Sequence, residues 1–365
     1  METQSHSLAS NRPSAESARV LLYVLHSGRL FGTERMAIST LQQLSDQFDN
    51  RLLAPAGEAV DYAQTQNIAA QAFAGKWQLL CKMAKIFFRS RQVTLVATGI
   101  SHSFVGIFLA FLFGVRLRHI HIVHGGTDER QSYGRKKWLR WFSIDFIAVS
   151  EFVRQRLIAH AVPVKKITVI ENFLLTHPTQ ARRAQFDAPI QRAILVSRLD
   201  PIKRVDLLLD ALRLNPTPGD FEVSVLGTGW DEQSLRLNAL NAHLPVQFKG
   251  YCKDVPADLA LSDLLIHTCP EEPFGLVILE AMAAGIPVLV PNAGGPCGYI
   301  RDGENGFIYR ANDAAHLASR LLEIRQMPAS RLNQVVACAS LMLRERFSPA
   351  TRIEDYRRLL KGGKS

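Results

Sequence analysis

Several common signatures are missing from this chain of 365 residues. The five cysteines form no Cys-x-x-Cys pair, which argues against a zinc site or a disulfide framework and fits a reducing cytosol. They are Cys81, Cys252, Cys269, Cys297 and Cys338. The longest apolar run, residues 104–115, is too short for a spanning helix of about 20 residues, so we expect a buried helix there. Residues 1–18 lack the apolar core of a signal peptide and are expected to form a disordered tail.

Acidic residues are scarce in the first half of the chain. Residues 1–180 contain 21 Lys and Arg against 12 Asp and Glu, whereas residues 181–365 contain 22 against 21. Almost the whole net charge of +10 therefore belongs to the first half. A domain that is basic on this scale favours an anionic partner, either nucleic acid or an acidic membrane surface.

Short β-branched runs alternate with helical patterns, which predicts parallel sheets built from βα units. Strands are expected at residues 20–26, 93–98, 119–124, 146–149 and 167–170, then at 193–197, 222–226, 246–248, 264–267 and 286–290. The fold class is thus α/β, with two doubly wound, Rossmann-like domains facing a cleft. Ligands of such sheets bind beyond the carboxyl ends of the strands.

The predicted domains follow from this pattern. Residues 19–175 are expected to form an N-terminal domain, 176–190 a linker, and 191–345 a C-terminal domain. Residues 346–365 hold a last helix that we expect to pack back across the interdomain region. Its apolar face consists of Ile353, Tyr356, Leu359 and Leu360.

The most informative stretch, residues 271–285, has two carboxylates ahead of and within an apolar helix. Pro273 fits a first helical position, which places Glu272 at or near the N-cap. The free N–H groups of a helix start bind anions, and Gly275 allows a ligand close approach. Glu280 falls on the inward stripe, where a carboxylate needs hydrogen-bond donors such as ribose hydroxyls. A helix cap with an internal salt bridge is the alternative.

Two further turns follow strands in the same half. Arg198 and Lys203 stand at a strand-to-helix turn, where cations suit a diphosphate, although a solvated loop is the alternative. Gly227 and Gly229 form a glycine-rich turn that lacks the third glycine of a dinucleotide fingerprint. A tight turn explains it equally well.

Taken in this order, these residues resemble the retaining glycosyltransferases of family 4, which have the GT-B fold. The phrase EPFGLVILEAMAAGIPVLVPNAGG, residues 272–295, is similar to their donor-site signature over its full length. The resemblance implies that Arg198 and Lys203 hold the donor diphosphate, that Glu272 lies against the donor sugar and that Glu280 binds ribose. It also assigns donor contacts to backbone N–H groups and to glycines of the turn. Those residues are Phe274, Gly275, Leu276, Gly227 and Gly229. Two positions depart from the family pattern: Gly298, where a Glu is frequent, and Cys269, where a Ser is frequent.

In the first half, the resemblance is looser. Gly32 lies in a loop similar to the family's glycine loop, although an ordinary turn with Thr33 as N-cap fits equally well. His124, at a strand end before two glycines, looks like the family's cleft histidine and is expected to be catalytic together with Glu272 and the two cations. Ser150 and Asn172 follow the next strands and are candidates for the acceptor side.

Basic residues alternate with aromatic ones in two segments, residues 76–91 and 133–142. Such patterns favour a helix in an anionic bilayer interface, and a solvated basic face over an aromatic core is the alternative.

The sequence therefore predicts a metal-independent hexosyltransferase without a cofactor, since no Asp-x-Asp pair is present and the family works with cations and a helix start. A UDP- or GDP-sugar donor and a lipid-linked saccharide acceptor of exopolysaccharide or lipopolysaccharide assembly are expected. The location would be cytoplasmic, on the inner face of the membrane, with no nucleic-acid partner. The rivals are a nucleotide-sugar epimerase on the same fold and a basic nucleic-acid-binding protein. A nicotinamide dehydrogenase is weaker still, because GxGxxG is missing.

Overall fold

A computed structural model describes residues 19–126, 129–174, 185–214, 221–252 and 254–361. The predicted tail lies outside the described residues, as does most of the predicted linker. Two parallel sheets, each flanked by helices, account for the described strands.

The first sheet has seven described strands in the order β3-β2-β1-β4-β5-β6-β7. They are β1 Val20–Val24, β2 Asp49–Pro55, β3 Ala69–Phe73, β4 Gln92–Ala97, β5 Arg116–Val123, β6 Ile144–Ala148 and β7 Ile167–Val169. The order reverses between β1 and β4, which makes the sheet doubly wound.

The second sheet has six described strands in the order β10-β9-β8-β11-β12-β13. They are β8 Arg192–Val196, β9 Glu222–Leu226, β10 Val246–Gly250, β11 Leu264–Ile266, β12 Val288–Pro291 and β13 Phe307–Tyr309. Its order reverses between β8 and β11, so the α/β, doubly wound prediction is confirmed for both sheets.

Helices connect the strands on both faces. They are α1 Gly32–Gln43, α2 Glu58–Thr65, α3 Gly75–Phe88, α4 Ile100–Phe113, α5 Glu129–Ser132, α6 Glu151–Ala159, α7 Val205–Leu214, α8 Glu232–Asn241, α9 Val255–Ala260, α10 Leu276–Ala283, α11 Ala314–Arg325, α12 Ala329–Arg346 and α13 Pro349–Leu360. Short 3₁₀ turns lie at Gly134–Trp141, Val164–Lys166, Pro201–Lys203 and Gly295–Gly298. The apolar face predicted for the last helix is buried along α13.

The sequence predicts ten of these strands and misses β2, β3 and β13. Strand β2 begins with Asp-Asn, two residue types that are depleted in strands, and β3 is built mainly from alanine. Strand β13 has only three residues. Their pairing with neighbouring strands, rather than local propensity, makes them strands.

By its contacts the chain divides into two compact units. Unit 1 contains the described residues up to Ile122, Trp141–Asp145 and those from Arg357 onwards. Its core lies between the sheet and α3 and α4, and includes Leu22, Met83 and Leu95. Unit 2 contains Val123–Arg140 and Phe146–Tyr356. One hydrophobic core of unit 2 packs α7 and α11 on the second sheet.

The apolar run at residues 104–115 differs from the prediction of a buried helix. Most of it belongs to α4, whose inner face is buried, whereas Phe111 is 89% exposed and Phe108 is 55% exposed. The apolar content predicted the helix, but it did not predict that the outer side of this helix is exposed to solvent. Within the described part of the chain, no helix has the length and apolarity needed to cross a bilayer.

Candidate active site

The loop after β8 carries the two predicted cations of unit 2. Arg198 Nη1 contacts Asp200 Oδ2 at 2.6 Å, and the Arg198 side chain is 49% exposed. Lys203 ends the 3₁₀ turn Pro201–Lys203, and Arg204, with φ of 52°, turns the chain into α7. Arg198 is close enough to oppose protonation of Lys203 electrostatically. The two cations therefore lie in one loop, Arg198 exposed and Lys203 largely buried.

The glycine-rich turn after β9 lies directly against this loop. Leu199 N donates to Thr228 O at 3.0 Å. A Cβ at Gly227, where φ is 129°, would lie 1.8 Å from Ser197 O, and one at Gly229 would lie 2.4 Å from Leu199 O. Only glycine allows this approach of two backbones. Both glycines thus have a packing role that positions the Arg198 loop.

A buried ion pair joins the two halves of the predicted donor motif. Lys203 Nζ lies 2.7 Å from Glu272 Oε2, and the two side chains are 17% and 15% exposed. Burial by itself would lower the pKa of Lys203, but the Glu272 carboxylate outweighs it and the pKa is raised. Burial likewise opposes ionisation of Glu272, yet Lys203 and His267 hold its pKa well below the usual range. Both groups therefore stay charged.

Two further potential metal ligands lie beside Glu272 of this pair. Among the described residues, His267, Cys269 and Glu272 form the one group of at least three with ligand atoms within 4.8 Å of one another. Burial raises the pKa of the Cys269 thiol to about 11, so without a metal ion beside it Cys269 is a neutral thiol. The cation that neutralises Glu272 is the Lys203 ammonium, which leaves these residues a poor fit to a divalent ion.

Helix α10 begins later than predicted. Its N-cap is Gly275, in the left-handed region with φ of 86°, so Pro273 is not the first helical residue and Glu272 is not the N-cap. Phe274 is buried and Leu276 opens the helix. Because Glu272 precedes the helix by several residues, its carboxylate can turn back to Lys203. Glu280 is half-buried on the same helix.

The predicted residues His124 and Ser150 adjoin the Glu272 loop within unit 2. His124 is half-buried at the end of β5, and a Cβ on the following Gly125 would lie 2.4 Å from Pro273 Cγ. Ser150 Oγ donates to Pro273 O at 2.6 Å and accepts from Val153 N, which caps α6. The buried Ser150 hydroxyl is therefore engaged in structure.

The two remaining predicted residues are Asn172 and Gly32. Asn172 is buried, and its Oδ1 has no hydrogen-bond partner among the residues described. Gly32 is in unit 1, where it opens α1; the N-cap there is Phe31, not Thr33. Glu34 Oε2 accepts from Phe31 N at 3.2 Å.

Comparisons with known proteins identify the chain. Residues 180–337 match the family described as glycosyl transferases group 1, and residues 32–176 match glycosyltransferase family 4. The chain is a family 4 glycosyltransferase. It is accordingly a retaining enzyme that uses a nucleotide-sugar.

Curated relatives of this glycosyltransferase include an N-acetyl-alpha-D-glucosaminyl L-malate synthase of Bacillus anthracis, 26% identical over 67% of this chain and 68% of that one. The lipopolysaccharide core biosynthesis glycosyltransferase LpsE of Rhizobium meliloti is 33% identical over 44% of this chain. The alignment spans about half of LpsE, 48%.

Solved structures share the whole fold. Anabaena HepE, in complex with UDP and glucose, superposes with a TM-score of 0.81 at 21% identity, covering 94% of this chain and 99% of that one. The lipopolysaccharide outer core galactosyltransferase WaaB gives 0.71 at 16% identity, with coverage of 94% and 99%. The GT-B prediction is confirmed.

One part of this glycosyltransferase's site was missed by the sequence reasoning. The loop from Gly294 follows β12, and Gly295 N donates to Glu272 O at 2.7 Å. Tyr299 Oη donates to Phe274 O at 2.7 Å, which holds the start of α10. His267 directly follows β11 and is the last residue of the strand predicted at 264–267, and its place at that carboxyl edge was the signal that could have found it.

A cavity of about 550 Å³ lies beside the Gly294 loop in unit 2. Its lining includes Glu171, whose carboxylate accepts two hydrogen bonds from Arg346 at 2.9 and 2.7 Å. Ser150, Gly295, Cys297 and Arg352 also line it. Gly295 of this lining is the residue whose N–H donates to Glu272 O, so the cavity adjoins the loop that holds Glu272.

Proposed function

We propose that this enzyme moves a hexosyl group from a UDP- or GDP-sugar to a lipid-linked saccharide in exopolysaccharide or lipopolysaccharide assembly. The observation that carries the proposal is the Lys203–Glu272 ion pair at 2.7 Å, buried between the loops after β8 and β11. Both loops lie at the carboxyl edge of a doubly wound sheet, where ligands of such sheets bind. HepE, a structural relative with the same fold, was solved with UDP and glucose.

The proposed donor contacts follow the strand ends. Arg198 and Lys203 hold the diphosphate, and their charge stabilises the leaving group as negative charge develops on it. Because Arg198 is exposed and paired to Asp200 of its own loop, it can exchange that partner for phosphate. Glu272 lies against the donor sugar, and its contact with Lys203 links sugar and phosphate recognition. Glu280 binds the ribose hydroxyls.

Backbone groups complete the proposed donor site. The N–H groups of Phe274, Gly275 and Leu276 surround the start of α10, where a helix terminus favours an anion. Gly227 and Gly229 hold the Arg198 loop, and Gly32 of unit 1 is a further donor contact. Residues with proposed roles near the reacting sugar and acceptor are His124, Ser150 and Asn172. The buried Oδ1 of Asn172 supports a ligand contact there, whereas the engaged hydroxyl of Ser150 favours a positioning role.

The proposed domain roles follow the charge distribution. Residues 19–175 bind the acceptor and face the membrane, residues 191–345 bind the donor, and residues 176–190 link them. The net charge of +9 in the first 180 residues supports an anionic membrane surface as partner and a location on the inner face of the cytoplasmic membrane. The names of LpsE and WaaB support the lipopolysaccharide setting.

A nucleotide-sugar hydrolysis screen tests the donor, and incubation of the selected donor with membrane extract tests the acceptor. The expected product is a lipid extract heavier by one hexosyl residue, with the anomeric configuration of the donor. Conversion of the donor to its epimer without any acceptor would establish the rival reaction instead.

A further inference from the structure

Helix α4 of unit 1 presents an apolar face that no described residue of its unit covers. Phe104, Phe108 and Phe111 follow the i, i+4, i+7 spacing of one helix face and are 39%, 55% and 89% exposed. Leu112 beside them is 57% exposed. Single exposed apolar residues are common on protein surfaces, but here four large apolar side chains lie together. A contiguous apolar surface of this kind marks an interaction site.

Aromatic neighbours extend this face in both directions. At the carboxyl end, Phe113 meets Phe88 of α3 edge to face, with ring centroids 5.8 Å apart, and Phe88 is 76% exposed. Towards the amino end, Phe104 meets Phe142 in the same geometry at 5.8 Å. The preceding residue, Trp141, is 73% exposed. We call this continuous surface of unit 1 the α4 face.

The segment that contains α3 and α4 has charged side chains of a single sign. From Tyr62 to Thr127 the sequence contains 66 residues without one Asp or Glu, and seven Lys or Arg. Three of these cations, Arg89, Arg91 and Arg116, are exposed at the carboxyl ends of α3 and α4, where Phe88 and Phe113 meet. Arg116 N donates to Arg91 O at 3.0 Å, which keeps these two residues side by side. The complement of such a surface is apolar in its centre and anionic around it.

We infer that the α4 face inserts into the headgroup region of an anionic lipid bilayer. The helix is about 21 Å long and lies flat in the interface, with its phenylalanines among the acyl chains and the arginines at the phosphates. The inference rests on the membrane contact proposed above and assigns the insertion to α4 rather than to the basic face of α3. The inner face of α4 stays with unit 1, because Gly106 packs tightly against Leu95.

The test is flotation with vesicles of equal parts phosphatidylcholine and phosphatidylglycerol. In the double variant Phe108→Ser with Phe111→Ser, the partition coefficient between vesicles and water should fall at least about tenfold. Each Phe side chain that enters the bilayer contributes strongly to the free energy of transfer from water. The matched control, Leu237→Ser with Leu240→Ser, removes two residues of similar exposure from α8 and should float like the wild type. Thermal unfolding of both should remain near that of the wild type, because all four side chains are exposed.

A second measurement places the helix in the bilayer. In Phe111→Trp the added tryptophan should emit at shorter wavelength with these vesicles and be quenched by brominated acyl chains beyond the wild-type background. Unchanged flotation of the double serine variant, or an introduced tryptophan that brominated chains do not quench, would overturn the inference.

Two controls distinguish insertion from self-association and from a failure of the proposed chemistry. A dimer in vesicle-free sedimentation that the double serine variant converts to monomer would assign the α4 face to a second copy of the chain and overturn insertion. Donor hydrolysis should be the same in wild type and double variant. Absence of hydrolysis in the wild type refutes the proposed transferase chemistry while leaving the flotation result to stand alone.

Discussion

The loop network around Lys203 and the surface around α4 use positive charge in opposite ways. In unit 2 one ammonium is 17% exposed and lies 2.7 Å from a carboxylate that shares its burial. In unit 1, arginines such as Arg89 and Arg116 are exposed, and the flanking sequence carries no acid at all. The buried ammonium and carboxylate form a fixed geometry that suits one small ligand. The exposed arginines produce a broad positive potential that suits an extended anionic surface.

This difference predicts how added salt should affect the buried ion pair and the exposed cations. Dissolved salt screens a buried ion pair only weakly. Removing one partner of such a pair is destabilising, because the other charge stays buried without a counter-charge. Exposed cations are screened within a Debye length of about 8 Å at physiological ionic strength. Salt should therefore release the protein from anionic lipid before it impairs donor binding.

Breaking the buried pair should have the largest effect. Lys203→Ala leaves the Glu272 charge buried without its cation, and we expect a loss of about 3–5 kcal/mol in the free energy of unfolding. Activity should fall by about 1000-fold, because a contact to developing phosphate charge is lost as well. Urea unfolding and initial rates measure the two effects.

The isosteric double variant, Lys203→Met with Glu272→Gln, is the control for this pair. It should regain most of the stability, since no unpaired charge remains, and stay inactive. A double variant as unstable as the single one, or a single variant within threefold of wild-type activity, would contradict the assignment.

The packing of the site loops can be broken without touching a charge. In Gly227→Ala the new Cβ would lie 1.8 Å from Ser197 O, so we expect a loss of about 3 kcal/mol in stability and weaker donor binding. Gly250→Ala is the matched control, because Gly250 also has positive φ (72°) but open space around it. It should lose only about 1 kcal/mol from backbone strain. Equal losses would show that crowding at Gly227 is not the cause.

Reversing the exposed charge should affect the membrane alone. Lys82→Glu, Lys85→Glu and Arg89→Glu together should lower partitioning to anionic vesicles by about 100-fold, since each cation contributes about 1 kcal/mol near such a surface. Donor hydrolysis should persist. The same change of charge at Arg213, Arg301 and Arg310 of unit 2 should leave flotation intact. If the first triple variant still floats, the basic face of α3 is only solvated.

Substitutions of the two carboxylates of the donor motif, Glu272 and Glu280, should affect different kinetic parameters. Glu280→Gln should raise the donor KM by about tenfold with little change in kcat, because a ribose contact is the same in ground and transition states. Glu272→Ala should mainly lower kcat. The reverse split would sink the assignment of ribose to Glu280 and of the reacting sugar to Glu272.

The smallest effect is expected from metal removal. With Lys203 supplying the cation beside Glu272, transfer in excess EDTA should stay within about twofold of the untreated rate. A rate that collapses with EDTA and recovers with magnesium or manganese would instead assign the neighbouring His267, Cys269 and Glu272 to a metal.

The sequence determined the architecture because its signals are local. Alternating apolar runs predict βα units, and the spacing of Arg198, Lys203, Glu272 and Glu280 indicates the family before any coordinates. The same local signals fail where a strand is made by its neighbours, as in β2 and β3, whose residues favour other states.

Tertiary structure decided the contacts within the site. Residues 203 and 272 are far apart in the chain, so only the fold could reveal their ion pair. The start of α10 at Leu276 is likewise set by Tyr299 and the left-handed Gly275 rather than by the proline that attracts a helix start.

The α4 face shows most clearly which properties the sequence determines and which the tertiary structure determines. Hydropathy along the chain measures how apolar a segment is, and it correctly predicted a helix there that is not a spanning one. Whether a side chain is buried depends on what packs over it, and that is a property of distant residues. The sequence thus made α4 apolar on all sides from Phe104 onwards, while the tertiary fold decided that Phe108 and Phe111 face outwards.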